Sequence, residues 1–275
     1  MTNQTKLGIT SYAYDWAISQ PGNGSEPLSA FQLVEKASRH HLNVVQICEN
    51  LPLYKLDPSE LSHLKRYAHS RDICLELGLR GLDPEGLAAG LELAGRLEAR
   101  LVRLVPWSGN EIPQPISGEE VFRRLEPFLP ICRKEGITLA IENYFDLPDN
   151  ALAAMLAQVA DPFLGACLDT ANSTGRLVDP LETARLLAPF IVSVHLKDFT
   201  VFKPRQGYRI SGAPLGKGWL DLHAILEIIY PGNKNVPILI EHWIEREDPT
   251  KTILETEEDW LSQSIEFVRQ ELDQF

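Results

Sequence analysis

Short apolar runs alternate along this chain with longer segments in which apolar residues recur every third or fourth position. That alternation is the pattern of strands followed by amphipathic helices. The runs fall at 7–12, 42–48, 73–77, 101–105, 137–143, 164–169, 191–198 and 236–241. Most of the intervening segments open on helix-starting chemistry. Ser29-x-x-Gln32 reads as a capping box for a helix to about residue 41. Asp57-Pro58-Ser59-Glu60, Asp83-Pro84-Glu85 and Asp179-Pro-Leu-Glu182 each place an acid at the cap and a proline at the first helical position. Ser117 is expected to start a helix reaching Lys134, and Asp149 to cap one over 151–160. Further helices are expected at 220–230 and 257–272. A loop carrying Pro21, Gly22 and Gly24, a glycine- and proline-rich stretch at 108–116 and a long connection at 199–218 complete the chain.

Eight strand–helix units in 275 residues match an α/β (β/α)8 TIM barrel, which needs roughly 30 residues per unit. A doubly wound open sheet is the competitor, but no strand is followed by a glycine-rich dinucleotide fingerprint. With no linker and no shift in composition, residues 1–275 read as one domain.

Four of the runs end on an ionisable group: Glu142 (beside Asn143), Asp169, His195 and Glu241. In parallel strands these ends share one rim, where two glutamates, an aspartate and a histidine make a pocket for a hard or borderline divalent cation. Each has a plainer reading. Glu142 could cap a helix, Asp169 could hold an Asx-turn over Asp169–Asn172, and His195 could be a hydrogen-bonded core residue. Glu241 could pair with Arg80 or Arg103, and Lys197 with Asp198 or a rim glutamate. The sharper reading gains from all four converging on one place.

The formal charge of −12 opposes nucleic-acid phosphates, and no Lys/Arg-rich run offsets it, so a nucleic-acid partner is not expected. The four cysteines, Cys48, Cys74, Cys132 and Cys167, form no CxxC pair and read as reduced core thiols. No apolar segment is long enough for a membrane span or signal core. A cytoplasmic protein is the expectation.

The succession Ile-Glu-Asn, Leu-Asp-Thr, His-Leu-Lys-Asp and Ile-Glu resembles the xylose-isomerase-like TIM-barrel superfamily, the sugar phosphate isomerase/epimerase group, over essentially the whole chain. The resemblance implies that Glu142, Asp169, His195 and Glu241 bind one divalent ion (Mn2+, Mg2+, Co2+ or Zn2+). It also implies that Glu142 and Glu241 act as acid and base. The expected activity is isomerisation or epimerisation of a small sugar or sugar derivative, through an enediolate whose charge the metal stabilises. The alternative is a lyase, a decarboxylase or dehydratase of an oxo-sugar acid or cyclic polyol on the same scaffold. Asn172 stands where ketose epimerases have a histidine, and can bond a hydroxyl but not take up a proton near neutral pH. Expected substrate contacts are Asn172, Lys197, Arg205, Trp107 and Trp243. The stretch 210–218 resembles a Pro-Leu-Gly-x-Gly element expected at the mouth or in a lid. A homo-oligomer is compatible with such a barrel. The superfamily's DNA-repair endonucleases would need more metal-binding His and Asp residues and a basic face.

Overall fold

The computed structural model describes residues 6–20, 26–107, 115–230, 236–245 and 252–275. The loop at 21–24 and most of the stretch 108–116 lie outside these. The strands, in chain order, are β1 Leu7–Thr10, β2 Val44–Ile47, β3 Cys74–Arg80, β4 Leu101–Val105, β5 Thr138–Glu142, β6 Leu164–Asp169, β7 Ile191–Leu196, β8 Asp198–Phe202, β9 Arg209–Ala213 and β10 Ile238–Ile240. Eight of them close a parallel barrel in the order β1–β10–β7–β6–β5–β4–β3–β2, so each expected apolar run supplies one stave. The helices are α1 Asp15–Ser19, α2 Ala30–Arg39, α3 Pro58–His69, α4 Pro84–Leu97, α5 Gly118–Leu125, α6 Leu129–Glu135, α7 Asp149–Val159, α8 Pro180–Leu187, α9 Leu222–Ile229 and α10 Ile253–Leu272.

Strand residues divide by parity. Ile9, Val45, Ile47, Leu75, Leu77, Val102, Leu104, Leu139, Ile141, Leu168, Val194, Leu196, Ile238 and Ile240 belong to one continuous apolar core with the helices. The alternate positions include a small separate cluster, Leu101, Ala140 and Cys167, and then polar groups: Thr10, Gln46, Glu76, Arg103, Glu142, Asp169 and His195, all buried. A pleated strand sends successive side chains to opposite faces. The outer face therefore drives folding, each buried leucine being worth about 2–5 kcal/mol against alanine. The inner face is left to carry chemistry. Register levels the groups: Thr10 pairs with Gln46, Gln46 with Glu76, and Asp169 with His195.

The caps form as the sequence implies. Ser29 with Gln32, and Asp57 with Glu60, make reciprocal capping boxes, and Asp83 and Asp179 cap α4 and α8. Several expectations are corrected. The helix expected over 117–134 is two, α5 and α6, separated by a 3-10 turn at Glu126–Phe128, because Pro127 and Pro130 remove backbone donors and crowd the preceding turns. Asp149 lies inside α7 after Pro148 and caps nothing. Its carboxylate instead accepts from Thr183 at 2.9 Å and pairs with Arg176 at 2.5 Å. The last helix starts earlier than expected, where Thr252 and Glu255 form a capping box. Cys74 is exposed, whereas Cys48, Cys132 and Cys167 are buried free thiols.

The connection at 199–218 holds the antiparallel hairpin β8–β9. It packs close to the rim: a Cβ on Gly212 would lie 2.1 Å from the carbonyl oxygen of Trp243. The turn after β9 is tied to Asp198, whose carboxylate accepts from the backbone N–H of Gly216, Gly218 and Leu220. Gly216 takes φ +74° there, a conformation that favours glycine.

Candidate active site

Glu142 closes β5, Asp169 closes β6, His195 is the penultimate residue of β7, and Glu241 follows β10. All four are buried at the C-terminal mouth, the end at which barrels of this type carry their chemistry. His195 Nδ1 lies 3.5 Å from Glu142 Oε2 and 3.3 Å from Glu241 Oε2. Asp169, His195 and Glu241 each offer a ligand atom within 4.8 Å of the others, and Glu142, Cys167 and His195 form a second such group that shares the histidine. His195 Nδ1 makes no hydrogen bond, and Glu142 Oε2 has only the ion pair with Arg103. Buried polar atoms that face one another without hydrogen bonds fit a cation between them.

Other contacts fix these side chains. Asn143 and Asp169 exchange bonds: Asn143 Nδ2 donates to the Asp169 carbonyl at 3.1 Å, and its Oδ1 accepts from Asp169 N–H at 2.7 Å. Asp169 Oδ1 accepts from Ala171 N–H and Asn172 N–H at 2.9 and 3.0 Å. That is the Asx-turn, and it occupies one carboxylate oxygen while Oδ2 stays turned to the mouth. Asn172 Nδ2 donates to Glu142 Oε1 at 2.8 Å, and Thr10 Oγ1 to Glu241 Oε2 at 2.9 Å.

Two cations complete the cluster. Lys197 Nζ spans Asp169 Oδ2 at 2.7 Å and Glu241 Oε1 at 2.6 Å, so it takes the rim acids and leaves Asp198 to the loop. Arg103, 1% exposed, places Nε 3.1 Å from Glu142 Oε2 and Nη1 3.4 Å from Glu49 Oε2. Arg80 pairs with Glu49 at 2.7 Å. Glu241 thus forms neither of the arginine pairs that the sequence left open for it.

The two glutamates are driven in opposite directions. Burial pushes the Glu142 carboxyl up to about 8; Arg103 opposes this and Asp169 adds to it. Burial works against ionised Glu241 as well, but Lys197 and Arg103 overcome it and hold the group down at about 2. Burial, aided by Arg103 and Lys197, lowers His195 to about 3 against the pull of Glu241, so the ring is neutral and able to ligate. Burial opposes the charge on Lys197, yet Asp169, Glu241 and Glu142 keep it protonated. Groups pushed apart in this way are suited to acid and base roles.

A cavity of about 410 Å³ opens above the cluster, walled by Tyr12, Trp16, Arg80, Tyr144, Phe145 and Trp243. Of the expected substrate contacts, Asn172, Lys197 and Trp243 line it. Trp107 stands beside it, stacked on Tyr144 at 5.7 Å. Arg205 is exposed on the connection between β8 and β9, away from the lining. The turn at 214–218 is likewise absent from the lining, so it braces the rim from outside. Sequence reasoning missed Gln46, Tyr144 and Glu257. Gln46, a lone amide inside the run Val44-Val45-Gln46-Ile47, was the clearest available signal, because a buried strand interior rarely spends a position on glutamine without a partner.

Fold and site together define a (β/α)8 enzyme scaffold with a polar, acid-rich mouth. The family model for the xylose isomerase-like TIM barrel matches residues 26–271, and the chain belongs to that family. A relative from Pectobacterium atrosepticum, 3-oxo-isoapionate decarboxylase, is 30% identical over 264 residues, which cover 95% of this chain and 94% of the relative. Among solved structures, D-psicose 3-epimerase with D-tagatose from Clostridium cellulolyticum H10 superposes with a TM-score of 0.70 at 15% identity, over 98% of this chain and 97% of that one. A xylose isomerase-like TIM barrel protein from Mycobacterium smegmatis in complex with magnesium gives 0.68 at 14% identity, over 95% and 97%. At such identities the structural matches speak for the fold. Among the described residues no helix is long and apolar enough to cross a membrane.

Proposed function

We propose that the protein is a divalent-metal-dependent lyase that decarboxylates a small 3-oxo sugar acid. The observation that carries the reading is the charge of the mouth. Glu142, Asp169 and Glu241 face Lys197 and Arg103, and a divalent ion would take over these acids and leave the two cations freer to meet an anion. Arg80, paired with Glu49, is a third cation in the cavity lining, with Lys197 and Arg103. A sugar carboxylate pairs with these cations from the first encounter, whereas a neutral sugar acquires charge only in its enediolate. The similarity to a 3-oxo acid decarboxylase supports the same class.

Glu142, Asp169, His195 and Glu241 would hold the ion, which supplies polarisation of the substrate carbonyl and stabilises the charge that develops on its oxygen. Lys197 and Arg80 draw in and orient the acid. The bond between C1 and C2 of the substrate breaks, its electron pair forms the double bond between C2 and C3, the π pair of the C3 carbonyl moves onto its oxygen, and CO2 leaves. A proton then returns to C2. Glu142, which lines the cavity, would deliver it. Trp16, Phe145 and Trp243 screen the site from water.

A second reading, isomerisation or epimerisation, draws support from the same opposed glutamates: one group ionised and one protonated is what proton removal and return on opposite faces requires. The test is incubation with Mn2+ in D2O. The lyase reading expects CO2 release from 3-oxo sugar acids and an Arg80→Gln KM about tenfold higher, the loss of about 1.4 kcal/mol of binding. Deuterium entering neutral ketoses next to the carbonyl, without CO2, would instead favour the second reading.

A further inference from the structure

We propose that Gln46 and Glu76 form a buried relay that holds the proton of His195 on Nε2 and so keeps Nδ1 open to a divalent cation. Both are positioning residues that act through the histidine. The inference rests on the metal reading above and is independent of which reaction follows.

The relay crosses the barrel. Gln46 is on β2 and His195 on β7, with β1 and β10 between them. Gln46 and His195 are fully buried, and Glu76 is 7% exposed. Gln46 Nε2 lies 3.1 Å from Glu76 Oε2, and Gln46 Oε1 lies 2.9 Å from His195 Nε2.

The polarity follows from donor counting. An ionised carboxylate only accepts, so the amide NH2 of Gln46 must face Glu76. Its carbonyl must then face His195, where a bare Nε2 at 2.9 Å would set lone pair against lone pair, so Nε2 carries the proton; the Cys48 thiol, a weak donor, stands 3.6 Å from the same oxygen. A neutral imidazole has one proton to place. The Nδ1 lone pair is left pointing toward Glu142 Oε2 and Glu241 Oε2, where a cation belongs. Reversing the amide would set carbonyl against carboxylate at one end and push the imidazole proton onto Nδ1 at the other. Hydrogen bonding at the far nitrogen is a general means of fixing the tautomer and basicity of a ligating histidine. Here the fixing group is an amide whose own orientation is set by a second buried residue.

The experiment measures Mn2+ affinity by the electron spin resonance of free Mn2+ at pH 8, where Glu76, raised to about 7 by burial, is ionised. Gln46→Leu is expected to weaken binding about 10- to 100-fold. The exchange Gln46→Glu with Glu76→Gln preserves the polarity. The amide introduced on β3 would donate to the carboxylate introduced on β2, and that carboxylate would accept from His195. The double variant should bind within a few-fold of wild type. Nitrogen-15 spectra of the ion-free wild type, with His195 assigned by its loss in His195→Asn, should report a protonated Nε2 and a bare Nδ1. Unchanged affinity in a folded Gln46→Leu, a double exchange as weak as that variant, or a proton on Nδ1 in wild type would each overturn the relay. If Gln46→Leu does not fold, the exchange and the spectrum decide. Wild type that binds no Mn2+ overturns the metal reading and the relay with it, whereas equal affinities overturn the relay alone.

Discussion

Replacing Lys197 with methionine removes an ammonium that lies 2.7 Å from Asp169 Oδ2 and 2.6 Å from Glu241 Oε1. The aliphatic length is nearly kept, so the change is mostly one of charge. Both acids are buried, and breaking a buried pair by deleting one partner costs about 3–5 kcal/mol. At roughly 2–4 °C per kcal/mol for a chain of this size, the ion-free variant should melt about 6–20 °C below wild type. Metal binding should move the other way. Asp169 Oδ1 is committed to two backbone N–H groups, so an incoming ion must compete with the ammonium for Oδ2. A charged hydrogen bond is worth about 1.5–3 kcal/mol, which corresponds to Mn2+ binding about 10- to 100-fold tighter in Lys197→Met. Saturating Mn2+ should therefore raise the melting temperature of the variant more than that of wild type. Calorimetric melts with and without Mn2+, together with titration of the ion, check both halves. A variant as stable as wild type without metal, or one whose affinity is unchanged or weaker, would refute the claim that ammonium and ion share these carboxylates.

Glu142→Gln and Glu241→Gln should each lower kcat about 100- to 10,000-fold, as expected for loss of a proton-transferring group, read in steady-state assays at saturating Mn2+. Glu257, buried and accepting from the N–H of Trp16 and Ala17, is pushed up to about 8 chiefly by burial. Between about pH 4.5 and 8 the folded state then binds more protons than the unfolded one, so this group lowers stability as pH rises, by at most about 1.4 kcal/mol per unit. Urea unfolding at pH 6 and 8.5 should show a steeper decline in wild type than in Glu257→Gln, and parallel curves would contradict it. Gly212→Ala forces a methyl against the Trp243 main chain, which cannot yield as a flexible side chain would. A loss of about 1–3 kcal/mol and a shifted tryptophan emission are expected.

The barrel was legible in the sequence because its causes are local. An apolar run long enough for one stave, an acid and proline at the next helix start, and eight repetitions of the pair leave few other architectures. The convergence of Glu142, Asp169, His195 and Glu241 was legible for the same reason: parallel strands deliver their last residues to one rim whatever the details. The family resemblance carried by those residues named the same positions. Tertiary structure alone decided how the charges are shared. Lys197 could have paired with its neighbour Asp198, but Asp198 is taken by the backbone of a turn eighteen and more residues away in sequence. Arg103 could have reached Glu241, yet it lies nearer Glu142 and Glu49. Gln46 meets His195 only because the sheet closes on itself, bringing the second stave across from the seventh. Sequence spacing encodes which face of a strand a residue occupies. It does not encode the distances across a closed barrel, and a contact ion pair needs its atoms within about 4 Å. The sequence therefore specified the scaffold and the identity of the rim, and the closed fold specified which charge answers which.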